Sequence, residues 1–175
     1  MQSLWGSARL LFAALFLACA ALLGYGLYLE FGRGLVPCPL CLLQRACYGL
    51  IALVALPAMI HGPRRIWRWF YGLPAIVFAA TGAAIAARQV WLQHLPPDKV
   101  PECGPDLYFM QEMVGWHEAL GWALKGTGEC AKVDWTFLTL SIAEWSLLWF
   151  ISIVIMLAAW LWYSRPSRAY GGAPA

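Results

Sequence analysis

A four-helix membrane bundle is the fold class this sequence predicts, and three observations predict it. The 175-residue chain is 62% hydrophobic and only 12% charged, where a soluble domain carries roughly 25% charged residues. Four apolar stretches, at about 10–29, 42–60, 70–90 and 146–163, are each long enough to cross a hydrocarbon core of roughly 30 Å, which takes about 20 helical residues. Eleven tryptophans and seven tyrosines, several of them flanking those stretches, suit the aromatic belts of a membrane interface. The mean hydropathy of +0.64 agrees. The chain reads as one integral-membrane domain over 1–175, and its net charge of +3 is small and arises from loops, so no nucleic-acid partner is indicated.

The first stretch has some features of a signal peptide, because Arg9 precedes an apolar run containing Ala18-Cys19-Ala20. The run continues through Leu29, however, beyond the roughly 7–15 residues of a signal core. Phe16-Leu17-Ala18 is also a poor lipoprotein site ahead of Cys19. It is read as an uncleaved first helix. Orientation follows from the basic residues. Arg9, Arg64, Arg65, Arg68, Arg165 and Arg168 fall on one side with no acid among them, while all nine Asp and Glu fall on the other. The positive-inside rule puts 1–9, 61–69 and 164–175 in the cytoplasm, and the loops at about 30–41 and 91–145 outside.

The long outer loop is not uniform. Its beginning, from Leu95 to Pro105, holds four prolines and should be extended and mobile. Over 107–124, Met110, Met113, Val114, Leu120 and Leu124 alternate with Gln111, Glu112, His117 and Glu118. That weak amphipathic pattern predicts a short helix on the membrane surface. Gly126-Thr127-Gly128 breaks it just before Cys130, and the tail 164–175 reads as disordered.

Four of the six cysteines lie in these outer segments. Cys38-Pro39-Leu40-Cys41 is a C-x-x-C at the outer mouth of the second helix. Pro37 and Pro39 suit a chain entering its first turn, and the unpaired amides there favour a thiolate. The plainer reading is a disulfide staple. Haem attachment is disfavoured because Leu42, not His, follows Cys41. Arg45 lies one turn inward, and at about 100° per residue Cys38, Cys41, Arg45 and Tyr48 share a face, with Gln44 on its edge and Cys47 well away. An arginine in a membrane helix either snorkels to the headgroups or serves a site. In the second reading it would hold a Cys41 thiolate and hydrogen-bond a quinone oxygen.

Cys103 and Cys130 form a second outward set, 27 positions apart on one loop. Either they staple that loop or they join the C-x-x-C in redox chemistry. Zinc is a further alternative, but four-cysteine sites usually use paired knuckles that this spacing lacks, so no metal is expected. His94, just past the third helix at the depth of Cys41 and Arg45, is either an interfacial residue or a second quinone contact. Cys19 and Cys47 are most simply small apolar packing residues.

At this point the chain resembles the DsbB family of disulfide bond formation proteins. The likeness covers the four helices, Cys38-Pro-Leu-Cys41 with Gln44-Arg45, Val100-Pro-Glu-Cys-Gly-Pro105, and Gly128-Glu-Cys-Ala-Lys-Val-Asp-Trp-Thr-Phe137. The resemblance implies a multi-pass protein of the bacterial inner membrane with periplasmic cysteines, a thiol:quinone oxidoreductase that acts as a monomer. It also implies that a disulfide Cys103–Cys130 takes electrons from a DsbA-like periplasmic thiol oxidase and a disulfide Cys38–Cys41 takes them from that pair. Cys41 would then serve a bound quinone, ubiquinone or menaquinone, with Arg45, Gln44 and His94 as the quinone contacts. Gln44 stands where a charged residue is often seen beside this arginine. The rival reading from another class is a non-catalytic membrane protein whose disulfides only staple its loops.

Overall fold

The computed structural model describes residues 8–63, 66–100, 116–133 and 135–163. In chain order these form α1 (Ala8–Leu27), which runs on as a π-helical turn over Tyr28–Gly32, then α2 (Pro39–His61) and α3 (Trp67–Gln93). A 3-10 turn (Pro97–Lys99), α4 (Trp116–Lys125), the one-turn α5 (Gly128–Ala131), a two-stranded hairpin of β1 (Thr136–Phe137) and β2 (Leu140–Ser141), and α6 (Ile142–Tyr163) complete them. Among the described residues four helices, Ala8–Gly32, Pro39–His61, Trp67–Gln93 and Ile142–Tyr163, are long and apolar enough to cross a membrane.

The spans outrun their apolar stretches, and at both ends of α2 and the start of α6 capping groups, not hydropathy, set the ends. Cys38 caps α2: its sulfur accepts from the Cys41 amide at 3.4 Å, and Pro39 follows at the first helical position. At the other end Gly62 takes a left-handed φ of 60° and returns its amide to the Ala58 carbonyl at 2.9 Å. A Ser141…Glu144 capping box starts α6. The Ser141 amide donates to Glu144 Oε2 at 2.7 Å and the Glu144 amide to Ser141 Oγ at 3.3 Å.

The helices meet through small residues. Ala52, Ala55 and Ala58 of α2 and Ala75, Ala79, Gly82 and Ala86 of α3 are buried, so backbones approach closely. Phe150 of α6 fills the notch at Gly82, where a β-carbon would come within 2.4 Å of its ring. Tyr48 stacks on that ring at 4.1 Å, and its hydroxyl lies 3.1 Å from Ser146 Oγ. Phe12 packs edge-on against Trp160 and Tyr71 near the opposite end. Large apolar side chains such as Leu53, Phe70, Ile155 and Trp162 point outward, as a lipid-facing surface requires.

Two details of the connecting segments depart from expectation, and a third agrees with it. The segment from Leu95, expected to be extended, makes a 3-10 turn at Pro97–Lys99, closed by the Lys99 amide on the Pro96 carbonyl at 2.9 Å; Pro97 presets φ there. The predicted surface helix is helical over Trp116–Lys125, while 107–115, Cys103 and the tail 164–175 lie outside the described residues. The hairpin was not foreseen. Its turn uses Leu138 and Thr139 at φ of 50° and 69°, a conformation ordinarily signalled by Gly or Asn.

Candidate functional site

The ends of α1, α2, α3 and α6 nearest the C-x-x-C enclose the site, and α5 and the hairpin close over it. Its centre is the C-x-x-C. The Cys38 and Cys41 sulfurs stand 3.0 Å apart on the first turn of α2. Gly126, with φ +79°, turns the chain out of α4 and rests on Leu92 and Leu40; a β-carbon there would come within 2.4 Å of Leu92. That turn sets α5 against the start of α2 and buries Cys130 completely. Cys130 thereby comes close enough to Cys38 for the two thiols to shift one another. Interaction with the protonated Cys38 thiol, aided by backbone groups of Leu40 and Thr127, outweighs burial and lowers the Cys130 pKa to about 6. Cys38 is shifted the opposite way, because the neighbouring Cys130 and Cys41 sulfurs both favour its protonated form.

The structure thus brings together Cys38, Cys41 and Cys130, three sulfurs contributed by two segments far apart in sequence. Cys38 and Cys41 line a cavity of about 830 Å³, within the range of small-molecule pockets. Leu22, Leu29 and Trp149 form apolar walls; Tyr25, Trp135, Phe137 and Trp145 make an aromatic roof tied down by the Trp145 Nε1 bond to the Phe137 carbonyl at 3.0 Å. Tyr48 lies at its floor, on the face predicted with Cys38, Cys41 and Arg45.

Gln44 and Arg45 also line the cavity. Arg45 differs from the reading that gave its charge to a Cys41 thiolate. Its guanidinium pairs with Glu30 from the π-helical turn and donates to the Gly26 carbonyl at 2.9 Å. Gly26 permits this, since a β-carbon there would meet Arg45 Nε at 3.2 Å. His94 is exposed and does not line this cavity: α3 ends at Gln93, and the imidazole Nδ1 turns back onto the Val90 carbonyl at 2.8 Å. Cys19 and Cys47 are buried in the helix core and do not line the cavity.

Two site residues escaped sequence reasoning. Glu30 sits in a stretch read as loop because the first helix was ended at 29. Gln89 of α3, only 4% exposed, places its amide against both C-x-x-C sulfurs and against Gln44. A polar residue within an otherwise apolar span was the signal available for it.

Comparison with known proteins agrees with this geometry. The family model for disulfide bond formation protein DsbB matches residues 8–161. A disulfide bond formation protein B from Marinobacter nauticus is 48% identical over 150 residues, covering 86% of this chain and 89% of the relative. Another from Azoarcus sp. strain BH72 is 46% identical over 160 residues, with 91% and 95% covered. One from Methylococcus capsulatus is 49% identical over 147 residues, with 84% and 90% covered. With the match running through all four spans and both described cysteine segments, the chain belongs to the DsbB family of disulfide bond formation proteins.

Proposed function

We propose that this chain is a thiol:quinone oxidoreductase of the bacterial inner membrane that reoxidises a DsbA-like periplasmic thiol oxidase. The observation that supports it most is the placement of Cys130 against Cys38 while Cys41, the partner of Cys38, lines the cavity. The reduced partner's thiolate attacks Cys103, the Cys103–Cys130 bond breaks, and Cys130 leaves as a thiolate with the bonding pair. Backbone groups of Leu40 and Thr127 favour the Cys130 thiolate and so favour its departure. Cys130 then attacks Cys38, and Cys41 leaves as a thiolate toward the cavity. When the partner's second thiolate frees Cys103 and Cys103 closes back on Cys130, Cys38 is released. Two electrons have then moved from the partner to the Cys38–Cys41 pair.

The cavity fits a quinone ring: apolar and aromatic walls for the plane, with Arg45 and Gln44 as donors to an oxygen atom. A quinone held there, ubiquinone or menaquinone, supplies a two-electron acceptor for the reduced pair. Arg45 is fixed in place for this by Glu30 and Gly26. In this reading one copy of the chain suffices, the cysteines face the periplasm, and Arg9 and Arg68, at the other end of the bundle, face the cytoplasm with both termini.

The test is quinone reduction by the purified chain with a reduced DsbA-like protein as donor. Quinone absorbance should fall in step with partner oxidation, and Cys41→Ser should abolish it. Disulfides that persist under reduced donor, with no quinone consumed, would leave the cysteines as loop staples and overturn the proposal.

A further inference from the structure

Cys41 lies past the capping position of α2, so the first free amides of the helix do not serve its sulfur as they serve Cys38. Arg45, the nearest cation by sequence, makes its hydrogen bonds to Glu30 and Gly26 and none to a sulfur among the described residues. Among the described residues the side-chain partners of the Cys41 sulfur are Cys38 and Gln89. Gln89 Nε2 lies 3.2 Å from Cys41 Sγ and 3.4 Å from Cys38 Sγ. Its Oε1 accepts from Gln44 Nε2 at 2.7 Å, and both glutamines are 4% exposed. That bond occupies the amide's oxygen and turns its N–H group toward the sulfurs. A thiolate can only accept, so an ionised Cys41 selects this same orientation.

We propose that Gln89, oriented by Gln44, is the donor that stabilises Cys41 as the leaving sulfur when the Cys38–Cys41 disulfide opens. The inference deepens the function proposed above and rests on Cys38–Cys41 being a redox disulfide. In the step concerned, the Cys130 thiolate attacks Cys38 Sγ and a Cys38–Cys130 bond forms. The Cys38–Cys41 bond breaks, and its electron pair goes to Cys41. No proton is transferred. Negative charge moves from Cys130 to Cys41, and the N–H of Gln89 is already within reach of where it arrives, so little reorganisation is needed. A neutral amide suits the task in a membrane-embedded helix: it donates at every pH, and it adds no charge of its own to bury.

The experiment titrates the Cys38–Cys41 pair alone. Full-length protein carrying Cys103→Ser and Cys130→Ser is equilibrated in detergent with reduced and oxidised dithiothreitol at pH 8, and the reduced fraction is read by thiol alkylation. Gln89→Met, close in length and apolar, should shift the equilibrium toward the disulfide by about tenfold, the scale of one lost charge-assisted hydrogen bond. That corresponds to a potential about 30 mV more negative. Gln44→Leu should shift it the same way by less, because it frees the Gln89 amide to rotate without removing it. Gln89→Leu serves if the methionine variant does not fold. Equilibria within twofold of the parent in the Gln89 variants would overturn the proposal while leaving the redox reading intact. A parent pair that forms no disulfide at any dithiothreitol ratio would sink both. Because no quinone or partner protein is present, failure of those parts of the reading does not affect the outcome.

Discussion

Replacing Arg45 by methionine keeps the aliphatic stem that crosses toward α1 and removes only the guanidinium. A charge-assisted hydrogen bond to a ligand oxygen is worth roughly 1.5–3 kcal/mol, or about a 10- to 150-fold change in apparent affinity at roughly 1.4 kcal/mol per tenfold. The Arg45 and Glu30 side chains remain 24% and 28% exposed, so solvent screens part of that charge. The lower part of the range is therefore expected, about a 10- to 30-fold rise in quinone KM. The substitution also strands the Glu30 carboxylate without its cation. Adding Glu30→Gln to Arg45→Met should recover stability but not quinone affinity, which separates the two effects. The assay is steady-state quinone reduction, varied in quinone at fixed donor and then in donor at fixed quinone. An unchanged quinone KM, or a rise confined to the donor KM, would refute the assignment of Arg45 to the quinone and leave it a helix-joining ion pair.

Four other outcomes are expected. In Cys103→Ser protein with Cys38 and Cys41 kept reduced, alkylation of Cys130 should be half-maximal near pH 6, its thiolate persisting above that value and lost below it. Adding Cys38→Ala should move the midpoint up, since the thiol that lowers it is gone. Among single-cysteine variants, Cys130→Ser should trap the DsbA-like partner on Cys103, as peptide mass will show; equal trapping on Cys130 in Cys103→Ser would reverse the relay. A reporter active only outside the cytoplasm should be silent when fused after Arg68 or Arg168, and activity at either site would break the proposed orientation. Finally, Gly82→Leu forces side-chain volume into the Phe150 ring, 2.4 Å from the first added carbon. It should cost about 1–3 kcal/mol, read as a lower Tm in detergent.

The parts of this molecule that were legible in its sequence are those encoded locally. A run of apolar residues specifies a span whatever surrounds it, and Cys38, Cys41, Arg45 and Tyr48 fall on one face by helical repeat alone. What escaped is encoded by pairs of distant residues. The meeting of Cys130 with Cys38 depends on Gly126 bending against Leu92 and Leu40, three contacts with no periodic signature. Gln89 went unremarked in its own helix and acquires meaning only opposite Gln44. Glu30 was hidden because hydropathy ends a helix at its first charge, whereas the backbone carried on through a π-helical turn to deliver that charge to Arg45. The placement of His94 was not legible for the reverse reason: a residue beyond the last turn of a helix has no azimuth that counting can supply. The Ser141…Glu144 box, by contrast, was readable and was missed, since a hydropathy window does not register caps.

The stack of Tyr48 on Phe150, pinned to Ser146, has a bioenergetic consequence. The buried polar groups described within the spans, Gln44, Gln89 and Ser146, all lie at or above that stack. Below it, from Tyr48 to His61, α2 descends about 20 Å at 1.5 Å per residue, past buried apolar side chains that include Ile51, Ala52, Ala55, Ala58, Ala79, Ile153 and Leu157, to the far end where the Tyr71 hydroxyl lies 2.6 Å from His61 Nδ1. Among the described residues that length offers no ladder of hydroxyls, amides or carboxylates along which a proton could hop. The bundle is therefore a plug as well as a scaffold. In the proposed reading electrons and protons are exchanged on one face, and the oxidation of thiols there would not become a leak in the membrane's proton gradient.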